Sequence, residues 1–309
     1  MLPARIDEAT FDALQADPAA WLPDMQALAD AQGGGPLQAA GSGSVLVALL
    51  GSDRVLKLYP PFMHGHCAYE QAVLPLLAGR LAVPTPRLLA AGAHQGWPWL
   101  LMTRLAGTPM TAAWPALAEA DKCALLQAIG ALAAEVHALP VPDSLRPLAP
   151  AWPDFIARQR LGCAARQQRT GLPAHLLAQL EGFIQGPLPD ADGGGPAVLL
   201  TGEYTPMNLL LQGPRLAGMY DFGDGLLGPR AYDWLGPLCF LAAGHPARCA
   251  AFRQGLGTDV VGVWDAGLRQ RLLRLLLLHR YSCLRTQIAL PQWQRAPSLE
   301  ALAELLWGG

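Results

Sequence analysis

Three side chains with chemical potential sit close together in the sequence. Gly202-Glu203 is followed five residues after the acid by Asn208, and thirteen further on by Asp221-Phe222-Gly223. Around them the chain alternates apolar runs with turns: VLL, a polar turn, LLLQ, the break Gly213-Pro214, then RLAGMY. That pattern predicts a β-hairpin about Gly213-Pro214, with Glu203, Asn208 and Asp221 gathered at the strand ends. Two carboxylates and an amide offer hard oxygen atoms. A magnesium–nucleotide site for phosphoryl transfer needs such atoms.

A second group lies upstream. The stretch 37–59 reads as strand, small-residue turn Gly41-Ser42-Gly43-Ser44, strand, turn Gly51-Ser52-Asp53 and strand. Small residues at Ser42, Gly43 and Ser44 let backbone N–H groups approach an anion. Lys57 lies in the third strand among Val55, Leu56 and Leu58. It is one of only two lysines, with Lys122, among 22 basic side chains, so its retention in an apolar strand raises a functional question. Glu70, thirteen residues later and near the start of a helix expected over 68–81, is placed to pair with it; a solvated helix acid is the plainer alternative.

These motifs carry a resemblance. The core resembles the H-G-D-x-x-x-x-N and I-D-F/W signatures of the aminoglycoside phosphotransferase and choline kinase-like enzymes. From about residue 20 to 245 it is similar to the bacterial branch of hygromycin-type phosphotransferases, down to WPWLLMTRLAG and DFGDGLLGPRAYDWLGP. Thr201 stands where the pattern has His, and Glu203 where it has Asp. The resemblance implies an α/β (α+β), two-lobed protein kinase-like fold, with a small strand-rich N-lobe, a larger helical C-lobe and an N-terminal helical extension. Its divisions would be 1–36 for the extension, 37–103 for the nucleotide lobe and 104–309 for the helical lobe.

The same resemblance implies roles. ATP or GTP would be the cofactor with Mg²⁺, and a small-molecule hydroxyl the acceptor, aminoglycoside or sugar-like. Asn208 and Asp221 would hold the metal, and Glu203 would take the acceptor proton. Lys57, oriented by Glu70, would hold the phosphates. Met102, Thr103 and Leu105 would line the adenine-side hinge. Asp233 resembles the buried acid that braces the catalytic loop, and Asp224 could join the metal shell, touch the acceptor or cap the next turn. Glu for Asp at 203 keeps the charge and adds a methylene, and a displacement of about 1 Å can cost on the order of 100-fold in rate. Thr201 and Glu203 therefore leave a second reading open, a nucleotide- or ligand-binding pseudokinase with weak or no turnover.

Composition bounds the rest. The 309 residues are 52% hydrophobic and 15% charged with a net charge of −2, so a packed globular protein is expected and a nucleic-acid footprint is not. Charges over 104–309 are nearly balanced, which does not favour a polycationic acceptor. Six scattered cysteines show neither a disulfide framework nor zinc spacing. The opening MLPARIDEATFDAL lacks a basic stretch followed by an apolar one, and LLRLLLLHRY is too short to cross a bilayer, so a cytoplasmic setting with no membrane partner is expected.

Elsewhere the periodicity predicts one or two helices over 3–31 with caps at Asp7 and Asp17, strands over 81–110, and a helix from Trp114 to Leu139 ending near a structural His137. Helices are expected at 153–168, 173–185, 231–243, 246–255, 265–288 and 297–307. His64-Gly65-His66 reads as loop.

Overall fold

The computed structural model describes residues 2–40, 43–189, 197–202 and 204–308. The chain falls into two compact units: one comprises 1–107 and 218–224, the other 108–217 and 225–309.

The first unit opens with α1 (Glu8–Gln15) and α2 (Pro18–Ala31). Each is started by an aspartate: Asp7 accepts from Thr10 N at 2.8 Å and Asp17 from Ala19 N at 3.1 Å, satisfying N–H groups that a helix start leaves unpaired. Then come β1 (Leu37–Ala39), β2 (Leu46–Leu50), β3 (Arg54–Leu58), α3 (His64–Leu77), β4 (Leu88–His94) and β5 (Trp97–Thr103). The strands form an antiparallel sheet in the order β1-β2-β3-β5-β4.

Strand alternation decides what each face does. Leu46, Ala48, Leu50, Leu56, Leu58, Trp97, Trp99 and Leu101 point to one face, where they bury against Phe11, Trp21, Met25 and Leu28 of the two N-terminal helices. The intervening residues of β3, Lys57 among them, therefore point to the other face, the one that meets α3.

Helix α3 starts four residues before the expected Ala68. Pro61–Met63 forms a 3₁₀ turn that feeds straight into it, so His64, Gly65 and His66 are helical instead of a loop. It ends at Leu77, just before Gly79 takes a left-handed φ of 71°.

The second unit begins with β6 (Thr108–Pro109), α4 (Met110–Ala113), α5 (Glu119–His137), α6 (Trp152–Arg169) and α7 (Ala174–Ile184). Next come β7 (Val198–Leu200), β8 (Leu209–Gln212), β9 (Arg215–Met219) and β10 (Leu226–Gly228). The hairpin about Gly213-Pro214 is β8–β9, and β9 runs on into the 218–224 segment of the first unit. The chain closes with α8 (Ala231–Phe240), α9 (Pro246–Leu256), α10 (Thr258–Val261), α11 (Ala266–Leu278), α12 (Leu284–Gln287) and α13 (Leu299–Trp307).

Helix α11 is apolar nearly all round: Leu272, Leu273 and Leu275 to Leu278 are all buried, as suits a helix surrounded by α6, α7, α8 and α13. It does not continue to residue 288 as its composition suggests. The Leu277 carbonyl accepts instead from Gln167 Nε2 at 3.0 Å and Arg166 at 3.2 Å, so donors from α6 replace the next helical turn. Helices α5 and α9 cross where neither has a side chain. A Cβ on Gly130 would stand 2.3 Å from Phe252 O, and one on Gly255 2.0 Å from Gln127 O.

Candidate active site

In the first unit, β3, α3 and residues 221–222 converge. Lys57 Nζ donates to both Glu70 oxygens at 2.9 Å and to Asp221 Oδ1 at 2.7 Å. Glu70 is fully buried and Lys57 is 6% exposed, whereas the Asp221 side chain keeps 41% of its surface open. Burial by itself would depress the ammonium; the Asp221 and Glu70 charges override it and hold Lys57 above its ordinary 10.5. The same Glu70 accepts from the Phe222 backbone N at 3.2 Å and from the Tyr59 hydroxyl.

Asp221 takes a left-handed backbone, φ 72°, which Asp tolerates better than bulkier residues because its short polar chain can bond locally. Nearby, Asp224 Oδ1 lies 3.0 Å from His66 Nδ1 in the first turn of α3. Sequence spacing singled out neither Tyr59 nor His66 as part of this site. Strand alternation two residues beyond Lys57 was the available signal for Tyr59.

Of the expected phosphate turn, Gly43 and Ser44 are exposed, and Ser42 lies outside the described residues. Met102 and Thr103 end β5, where Thr103 N donates to Arg87 O at 3.0 Å and Arg104 N to Asp53 O at 2.7 Å. Those two N–H groups are committed to the sheet.

In the second unit, Asp233 is 2% exposed in the first turn of α8 and gathers three donors. Its Oδ1 accepts from Gly202 N at 2.7 Å, and its Oδ2 from Thr201 N at 3.2 Å and from His137 Nε2 at 2.9 Å. Thr201 is itself buried, and Gly202 turns with φ 71°, a conformation that favours glycine. Asn208, 8% exposed, donates its N–H to Thr205 O at 3.1 Å and so closes the turn that enters β8. Glu203 lies outside the described residues. Lys57, Glu70, Asp221 and Asp224 thus belong to the first unit, and Asn208 and Asp233 to the second.

The model of a phosphotransferase enzyme family, APH, matches residues 38–273. The chain belongs to that family. Solved structures similar to this phosphotransferase bear out the kinase-like α/β fold class. One is a streptomycin–ATP ternary complex of APH(2″)-IIa, at 16% identity over 91% of this chain and 92% of that one, TM-score 0.60. Another is the GDP complex of wild-type aminoglycoside 2′-phosphotransferase-IIIa, at 18% identity over 87% and 91%, TM-score 0.61. A third is the macrolide 2′-phosphotransferase MphH from Brachybacterium faecium as apoenzyme, at 21% identity over 91% and 97%, TM-score 0.59.

For this phosphotransferase the two buried networks differ in chemistry. The Lys57 cluster presents an ammonium and a half-open carboxylate, able to meet a phosphate and a cation. The Asp233 cluster is closed, its carboxylate taken up by the Thr201 and Gly202 backbone and the His137 ring. Among the described residues no helix is long and apolar enough to cross a membrane, and all six cysteines are free.

Proposed function

We propose that this phosphotransferase transfers the γ-phosphoryl group of ATP or GTP to a hydroxyl of a small, aminoglycoside- or sugar-like molecule. The observation that carries the reading is Lys57, held between Glu70 and the half-open Asp221. An ammonium fixed in a low-dielectric strand binds phosphate oxygens without first being desolvated and ordered. Asp221 and Asn208 offer the hard oxygens that Mg²⁺ prefers. When bound, that ion would neutralise charge on the phosphates.

Glu203 would accept the acceptor's proton, with Asp233 fixing the backbone just before it. Backbone along Met102, Thr103 and Leu105 would meet the base. Streptomycin, bound in one similar structure, and macrolides, the class named for another, set the first acceptors to try.

The test is nucleotide consumption with Mg²⁺ across aminoglycosides, macrolides and sugar alcohols, alongside thermal unfolding with and without Mg-ATP. Stabilisation of the wild type and not of Asp221→Asn is expected. No nucleotide-dependent stabilisation of the wild type would overturn the reading. Stabilisation without product from any acceptor would favour the binding-only alternative.

A further inference from the structure

We propose that Tyr59 is a positioning residue for phosphate binding, acting through Glu70; this rests on the reading of Lys57 as the phosphate-holding lysine. The reasoning begins with donor counts. An ammonium has three hydrogens. In this structure Lys57 directs its contacts to Glu70 Oε1, Glu70 Oε2 and Asp221 Oδ1, at 2.9, 2.9 and 2.7 Å. To meet a phosphate oxygen it must release one of them.

Releasing Asp221 leaves a carboxylate that is open to water and cations. Releasing a Glu70 oxygen is costlier, because Glu70 is 0% exposed and a buried carboxylate oxygen without a donor loses the full desolvation cost. Each Glu70 oxygen, however, has a second donor. Oε1 has the Phe222 N–H, and Oε2 has the Tyr59 hydroxyl. With Tyr59 in place, Lys57 can turn from Oε2 toward a ligand while Glu70 stays satisfied and the pair stays aligned.

Tyr59 is well held for that task. It shares the α3-facing side of the strand with Lys57, two residues on, and its N–H donates to Pro98 O at 2.8 Å. Tyr59 is 2% exposed, and Lys57 Nζ lies 5.9 Å from its ring centroid. Tyr59→Phe therefore keeps the packing and the cation–π contact and removes only the hydroxyl.

The experiment compares binding of Mg-ATP and of adenosine to the full chain by calorimetry. In Tyr59→Phe the preference for ATP over adenosine should fall about 10-fold, with adenosine affinity unchanged, as expected for one hydrogen bond to a charged group. A purely structural role would weaken both ligands together. Because the hydroxyl acts through the Glu70 carboxylate, Tyr59→Phe should add nothing further in a Glu70→Gln background, which also serves if the single variant folds poorly. An unchanged preference in Tyr59→Phe, or additive losses in the double variant, overturns the proposal alone. A wild type that binds ATP no better than adenosine overturns the reading of Lys57 along with it.

Discussion

Lys57 Nζ lies 2.7 Å from Asp221 Oδ1, a residue 164 positions further along the sequence. The contact joins the central strand of the sheet to the segment that returns after β9. One ammonium there serves two carboxylates.

Removing that cation should be costly. Lys57→Met leaves Glu70 buried and uncompensated, and unfolding in denaturant should show a loss of about 3–5 kcal/mol. Lys57→Met with Glu70→Gln, which removes the charge and keeps an acceptor for the Tyr59 hydroxyl and the Phe222 N–H, should recover part of it while nucleotide stabilisation stays absent. Because folding raises the Lys57 pKa above 10.5, its contribution is complete below 10.5 and fades only as pH climbs through the higher folded value. The gap between wild type and the double variant should therefore stay flat from neutral pH to the edge of that window.

Asp233→Asn puts an amide N–H where a carboxylate now accepts from Thr201 N, Gly202 N and His137. A stability loss of about 2–3 kcal/mol is expected from opposed donors. If residues 201–202 position Glu203 as the catalytic base, turnover should fall by about 100-fold or more while nucleotide affinity changes little. Parallel kinetics and calorimetry check the split.

Gly130→Ala should destabilise by about 3 kcal/mol, because its methyl would overlap the Phe252 carbonyl across the α5–α9 crossing. Gly255→Ala should behave alike against Gln127 O. The two together should cost less than their sum, since one separation of the helices relieves both overlaps. Chemical denaturation of the three variants measures this.

The Arg248 guanidinium grips Glu119 through both oxygens, at 2.6 and 2.7 Å, and holds that carboxyl below its usual 4.5. A depressed folded-state pKa stabilises above the unfolded value and loses that effect as pH falls through the folded one. Glu119 is half-exposed, so Glu119→Gln should cost under about 1 kcal/mol at neutral pH. The difference from wild type should vanish as the pH is lowered well below 4.5.

Much of the fold could be read from short-range pattern. Asp7 and Asp17-Pro18 start helices because the signal lies within three residues of the cap. The alternation of β2 and β3 and the Gly213-Pro214 hairpin are equally local. Helix limits that depend on distant partners were not readable. Helix α11 stops at Leu278 because side chains more than a hundred positions away take the Leu277 carbonyl, and nothing in the run LLRLLLL announces them.

The candidate site divides the same way. Residue type and spacing picked out Lys57, Glu70, Asp221 and Asp233 because each chemistry admits few side chains. That Lys57 touches Glu70 and Asp221 together, that Tyr59 and the Phe222 N–H share the same carboxylate, and that His137 meets Asp233 were decided by packing. Sequence fixes which groups can ionise and which local turns can form. Which buried donor meets which buried acceptor depends on sheet faces and helix crossings, and those are set by the whole core at once.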